Sequence, residues 1–179
     1  MTEESKLFVT VCDKGIMSVF NTLLNDPKVD VTYNTFEAFR KAATSGHTDI
    51  VETLLKDQRI DVSKVSQHMI CSAAENGHLA VITLLLKDQR IDPGVDKNYP
   101  LRWSIYKGHT DIAKLLLKDP RVSMDIAIER ARNVNSTGEL KLLLKFADEM
   151  KATNKNQATI DVLKTVIESI NKLIIELSQ

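Results

Sequence analysis

The sequence predicts an all-α repetitive protein, a helical solenoid of about five two-helix units followed by a C-terminal helix. Three observations lead there. A glycine-histidine step returns at Gly46, Gly77 and Gly108, each 31 residues after the last, and the same interval reaches back to Gly15. Apolar residues on either side of each glycine are spaced three and four apart, the period of an α-helix. Turn formers are few, with six glycines and four prolines in 179 residues, whereas a strand-rich fold with many tight turns needs more.

The units keep register over many columns. Phe8, Phe39, Ile70 and Leu101 share one, and Val11-Cys12, Ala42-Ala43, Ala73-Ala74 and Ser104-Ile105 fill the next two apolar or small positions. These place one face of a first helix that ends at the glycine. Past it stand Val19, Ile50, Val81 and Ile112, then Leu23-Leu24, Leu54-Leu55, Leu85-Leu86 and Leu116-Leu117, which form the apolar face of a second helix. The glycine suits a tight turn between helices that needs a left-handed backbone. Asp26, Asp57, Asp88 and Asp119 follow, then Lys28, Arg59, Arg90 and Arg121, then Val29, Ile60, Ile91 and Val122. One helix pair cannot bury its own apolar face, whereas stacked pairs can.

A fifth unit is degenerate. Lys141-Leu142-Leu143-Leu144-Lys145 matches Lys114-Leu115-Leu116-Leu117-Lys118 at an offset of 27, and its first helix is expected over Met124 to Arg132. The repeats are thus expected over 1–148, a polar linker over 149–157 and an amphipathic helix over 158–178. Thr159 is placed to cap that helix, with Asp161 in its first turn. Ile160, Leu163, Ile167, Ile170, Ile174 and Leu177 form a heptad seam. Val162, Val166 and Leu173 widen the stripe to about 160°, which favours a helix capping the last repeat. Self-association and a docked partner helix are the alternatives.

Composition excludes several classes. Lys plus Arg and Asp plus Glu each number 24, so the chain lacks the bulk positive charge that drives non-specific binding to nucleic acid. No run of 18 apolar residues is present to span a membrane, and Met1-Thr-Glu-Glu-Ser-Lys6 is no secretory signal. Cys12 and Cys71 make neither a disulfide framework nor a zinc spacing. A reduced, cytoplasmic protein without cofactor is expected.

The segment Ala73-Ala74-Glu75-Asn76-Gly77-His78-Leu79-Ala80-Val81-Ile82-Thr83-Leu84-Leu85 and its counterparts resemble the ankyrin pattern A-A-x-x-G-H-x-x-V-V-x-x-L-L. The resemblance covers about residues 5 to 147 and implies an ankyrin-type solenoid that binds proteins on a concave surface. Two features depart from the family. The unit is 31 residues rather than 33, and the T-P-L-H opening survives best as Tyr99-Pro100-Leu101-Arg102. Asp-Gln-Arg-Ile-Asp or Asp-Pro-Arg-Val stands where Gly-Ala-Asp is usual, so the finger between units is expected to be short. This variant is similar to arrays encoded by giant viruses of amoebae, which implies a host protein as partner and the host cytoplasm as location.

Few residues suggest chemistry. His47, His78 and His109 recur in equivalent turns, too far apart to share a zinc and suited to stabilising those turns. His68 is a surface singleton. Cys12 shares a column with Ala43, Ala74 and Ile105, a packing position, and no residue is placed by register to activate Cys71. The Asp and Arg ladders are expected to pair between neighbouring units rather than to grip phosphates. No phosphate loop, nucleophile elbow or metalloprotease motif is present, so no catalytic and no metal residue is expected.

The aromatic set is the most informative. Trp103 stands in a column with Thr10, Lys41 and Ser72, and Tyr106 in one with Asp13, Thr44 and Glu75. Polar company implies exposure. Tyr99, Trp103 and Tyr106 share a helix face, and exposed Trp and Tyr are enriched at binding hot spots. Packing of Trp103 on a neighbouring finger is the alternative. The expected binding residues are Tyr99, Trp103, Tyr106, Lys107, Glu75, Asn76, Thr44 and Ser45, with Tyr33, Asn34, Lys64, Gln67 and Lys97 as further surface candidates. The expected function is a monomeric, non-enzymatic adaptor for another protein, and the alternative is an assembly protein that dimerises through its C-terminal helix.

Overall fold

The computed structural model describes residues 3–27, 29–30, 35–133, 137–153 and 157–178. Among the described residues all regular structure is helical, without a strand. The chain divides into two compact units, Met1–Val122 and Ser123–Gln179.

The first unit holds four helix pairs: α1 (Glu3–Lys14) with α2 (Met17–Leu24), α3 (Thr35–Ser45) with α4 (Thr48–Lys56), α5 (Ser66–Glu75) with α6 (Leu79–Leu85), and α7 (Val95–Tyr106) with α8 (Thr110–Leu117). A short 3₁₀ turn, Val62–Lys64, leads into α5. First helices pack on first helices in the order α1, α3, α5, α7, and second helices on second helices in the order α2, α4, α6, α8, so the unit has two layers. Its core is the set of columns read from the sequence. Phe39, Ile70 and Leu101 are fully buried from one layer, and Leu54, Leu85 and Leu116 from the other. Small residues keep the layers close, since Ala42, Ala43, Ala73, Ala74 and Cys12 have no exposed surface.

Each pair turns through the same backbone device. Gly15, Gly46, Gly77 and Gly108 have φ between 70° and 79°, the left-handed region that glycine enters without Cβ strain. The following amide closes back on the first helix, with His47 N–H donating to the Ala42 carbonyl at 2.9 Å and His78 N–H to Ala73 at 3.0 Å. This six-to-one bond is the Schellman ending, and it satisfies a carbonyl the helix would leave open. Each histidine then sits near φ −80°, ψ +75°, an inverse γ-turn that starts the second helix.

Two glycine-histidine neighbours explain the histidine column. The His47 ring lies over Gly15, where a Cβ would be 2.5 Å from it, and His78 lies over Gly46 at the same distance. The Nε2–H of His47 donates to the Asp13 carbonyl at 2.9 Å, that of His78 to Thr44 at 2.6 Å and that of His109 to Glu75 at 3.1 Å. Each of these three histidines therefore ties its turn to the first helix of the preceding pair.

The charged ladders behave differently from expectation. Asp57 pairs with Arg59 within its own turn at 2.5 Å, as Asp88 does with Arg90 at 2.6 Å and Asp119 with Arg121 at 2.7 Å. What reaches the neighbouring pair is the guanidinium alone. Arg59 donates to the Leu24 carbonyl, Arg90 to Leu55 and Arg121 to Leu86, each at 3.1 Å. The expected pairing of Asp and Arg between units is thus corrected. The last carbonyls of a helix lack intrahelical donors and carry partial negative charge, so a cation is drawn to them, while the aspartate orients that cation from two residues away.

One segment departs from helical geometry. Within α7, Asp96, Lys97 and Asn98 have φ of 47°, 54° and 58°. Regular helix resumes at Tyr99, with Pro100 in its first turn, where a missing N–H costs little. Asn98 is almost fully buried, and Arg102 Nη1 donates to the carbonyls of Asp96 and Lys97, both at 3.3 Å.

The second unit contains α9 (Met124–Asn133), α10 (Thr137–Thr153) and α11 (Gln157–Glu176). Within it α10 packs against both α9 and α11, around Leu140, Leu143, Phe146, Ala147 and Ile170. Two boundaries are corrected. The first part of the expected 149–157 linker, through Thr153, continues α10, and α11 starts at Gln157, ahead of Thr159, which is therefore inside the helix rather than its cap. The rest of that linker, 154–156, lies outside the described residues.

Candidate functional site

The α7 face carries the aromatic set. Helical spacing brings Tyr99 and Trp103 to 5.7 Å between ring centroids and Trp103 and Tyr106 to 5.2 Å, the second pair edge-to-face at 85°. Such tilted and perpendicular pairs suit the ring quadrupole. Lys107, the residue that ends α7, places its ammonium 5.5 Å from the Trp103 centroid and 6.0 Å from that of Tyr106. On the other side Arg102 holds its guanidinium 5.6 Å from Tyr99. The result is a strip of three rings bracketed by two cations, each within the range of cation–π attraction.

Exposure varies along the strip. Tyr106 is 70% exposed, an unusual value for a large apolar ring, whereas Trp103 and Tyr99 are half-buried. The expectation that Trp103 is substantially exposed is therefore corrected: its neighbours Tyr99, Tyr106 and Lys107 cover part of it, a covering that column comparison with smaller residues does not reveal. Burial, then the nearby Glu75 carboxylate, holds the Tyr99 phenol above its ordinary value, so it stays a neutral hydroxyl.

The remaining expected residues divide. Asn76 is exposed just past the end of α5 and donates its side-chain amide to the Ser72 carbonyl at 2.8 Å. Glu75 is half-buried, with its carbonyl taken by His109. Ser45 donates to Asp13 at 3.1 Å. Thr44 is half-buried and presents no hydroxyl to solvent, because its Oγ1 is buried without a hydrogen-bond partner. Tyr33 and Asn34 lie outside the described residues, as does the side chain of Lys64.

Sequence reasoning missed Phe36 and the left-handed turn. Phe36 is 42% exposed and meets His68 edge-on, with ring centroids 4.6 Å apart. His68 occupies the column of Tyr99, which was the available signal that another ring shares this face. Nothing in the periodicity marks Asp96 to Asn98 as left-handed, although Asp and Asn enter that region more readily than most residues.

Burial pushes the Cys12 thiol up to about 12, and burial with Asp96 and Glu75 does the same to Cys71, so both stay protonated at neutral pH. Among the described residues no three of His, Cys, Asp and Glu converge as metal ligands. Nor, among them, is any helix long and apolar enough to cross a membrane. No model of a known protein family matches the chain, and comparison with curated proteins gives no match.

Proposed function

We propose that the helix pairs form an ankyrin-type solenoid and that the protein is a non-enzymatic adaptor, binding a partner protein on the first-helix face around Trp103 and Tyr106. One observation carries the reading: the Tyr99–Trp103–Tyr106 strip, with Tyr106 70% exposed, stands in columns that other units fill with polar residues. The face is also stiffly mounted. Histidine and arginine bonds join each pair to the next, which lowers the ordering cost of association. The giant-virus resemblance extends the proposal to a host protein as partner.

Dimerisation through the C-terminal helix is less well supported. Ile170, at the centre of the heptad seam, is fully buried where α11 packs on α10, so that position is already used within the chain.

The test is a display selection of random peptides on the full chain, after which each selected peptide is measured on wild type and on a Trp103→Ser/Tyr106→Glu double variant. Ser72 and Glu75 occupy those columns one unit earlier, so the variant should fold, losing about 1–2 kcal/mol because Trp103 is half-buried. Peptides that bind wild type and weaken by about thirtyfold or more on the variant support the reading. Selected peptides that hold both proteins equally place the contact elsewhere and overturn it.

A further inference from the structure

The charge of the first unit is not evenly spread. Residues 1–31 hold five acids and three lysines. Residues 95–107, which carry the strip, hold Lys97, Arg102 and Lys107 against Asp96, and the Glu75 carboxylate of α5 lies near Tyr99. The excess at the strip is thus small and cationic. Several cations elsewhere on the first helices are matched: Lys6 lies 2.7 Å from Glu3, Arg40 binds Glu37 through two nitrogens at 2.9 and 2.6 Å, and Lys41 lies 3.7 Å from Asp13. Among the described residues, Lys97, Arg102 and Lys107 have no carboxylate at ion-pair distance. Arg102 Nε is buried and without a hydrogen-bond partner. Arg102 and Lys107 rest on ring faces instead.

This arrangement selects among ligands. A cationic side chain is disfavoured, because the attractive ring faces already hold the protein's own cations and a second cation would be repelled. An acidic residue is favoured, because its carboxylate can pair with Lys107 without disturbing the rings, and exposed Tyr106 still offers its apolar surface to a neighbouring side chain. We infer that the α7 face binds an acidic peptide segment carrying one bulky apolar anchor, with the anchor against Trp103 and Tyr106 and the flanking carboxylates on Lys107 and its basic neighbours. This rests on the adaptor reading above and adds the chemistry of the partner.

Trp103 is the only tryptophan in the chain, so its emission reports directly on the site. The probes are synthetic heptapeptide pools with a central Phe or Leu flanked by Asp and Glu, the same pools flanked by Lys and Arg or by Ser and Gly, an acidic pool with central Gly, and an oligothymidylate. The acidic anchored pool should shift Trp103 emission and bind at least tenfold tighter than every other probe, with an affinity that falls as salt rises. Lys107→Glu, an exposed change, should remove that preference by tenfold or more while the helical circular dichroism is retained. Equal or tighter binding of the oligothymidylate, or an acidic preference that survives Lys107→Glu, would overturn the inference. If only basic or neutral anchored pools move Trp103 emission, the docking face stands and its acidic preference falls. If no pool moves it, both fall.

Discussion

Replacing Gly46 by alanine tests the joint between helix pairs, and Gly108 supplies the control. Both glycines are left-handed, with φ of +78° and +77°. An alanine there costs about 1–2 kcal/mol of backbone strain, offset by about 0.4–1 kcal/mol because alanine has fewer unfolded conformations to lose. Gly108→Ala should therefore destabilise by about 0.5–1 kcal/mol, since nothing lies within 4 Å of its added Cβ. At Gly46 the same Cβ would stand 2.5 Å from the His78 ring. That ring must leave, and its 2.6 Å bond to the Thr44 carbonyl goes with it. A lost bond that strands a part-buried carbonyl adds about 1–3 kcal/mol. Gly46→Ala should thus cost about 2–4 kcal/mol, and its excess over Gly108→Ala should shrink in a His78→Ala background, where the obstacle is gone. Urea unfolding followed by helical circular dichroism measures all of these. Equal losses for Gly46→Ala and Gly108→Ala would refute the stacking argument, as would strict additivity with His78→Ala.

Leu85 is fully buried in the second-helix layer, so Leu85→Ala should cost about 2–5 kcal/mol; Arg90→Ala, which removes a half-exposed ion pair and one bond to a helix end, should cost about 1–2 kcal/mol, and denaturant melts with the order reversed would overturn the layer assignment. Hydrogen bonds from Arg59, Arg90 and Arg121 hold Asp57, Asp88 and Asp119 below the usual carboxylate range, so their contribution is complete above the unfolded value of about 3.9 and is lost as pH falls through the depressed folded values. A triple Asp→Asn variant should accordingly show a flatter loss of stability on acidification below about pH 4, and an acid profile parallel to wild type would count against the pairs. Lys97 sits at φ 54° without being glycine, so Lys97→Gly should stabilise by about 0.5–1 kcal/mol, strain relief exceeding the added chain entropy; a lower urea midpoint would mean that the left-handed turn is not where the chain rests.

The helix pairs, their turns and their buried columns were legible without coordinates, because each depends on neighbours within a few residues. Gly46 must follow the last helical turn, Ala42 and Ala43 must lie three and four residues from Phe39, and a 31-residue interval repeats those demands. The aromatic strip was legible for the same reason, since Tyr99, Trp103 and Tyr106 are near neighbours on one helix. What the chain could not announce were contacts made across a whole unit. The histidine bonds span 34 residues and the arginine bonds 35; which carbonyl receives each donor depends on how one pair seats on the last, and periodicity carries no record of that seating. Arginine therefore looked like the partner of a neighbouring aspartate, when packing offers it a helix end instead. The same is true of Thr44, whose hydroxyl is turned into the interior, of Trp103, half-covered by a lysine that sequence places beside it but not upon it, and of the left-handed turn before Tyr99, where Asp96 and Lys97 carbonyls meet Arg102. Local spacing decides which residues share a face; only tertiary packing decides which of their atoms come within bonding distance and which remain open to a partner.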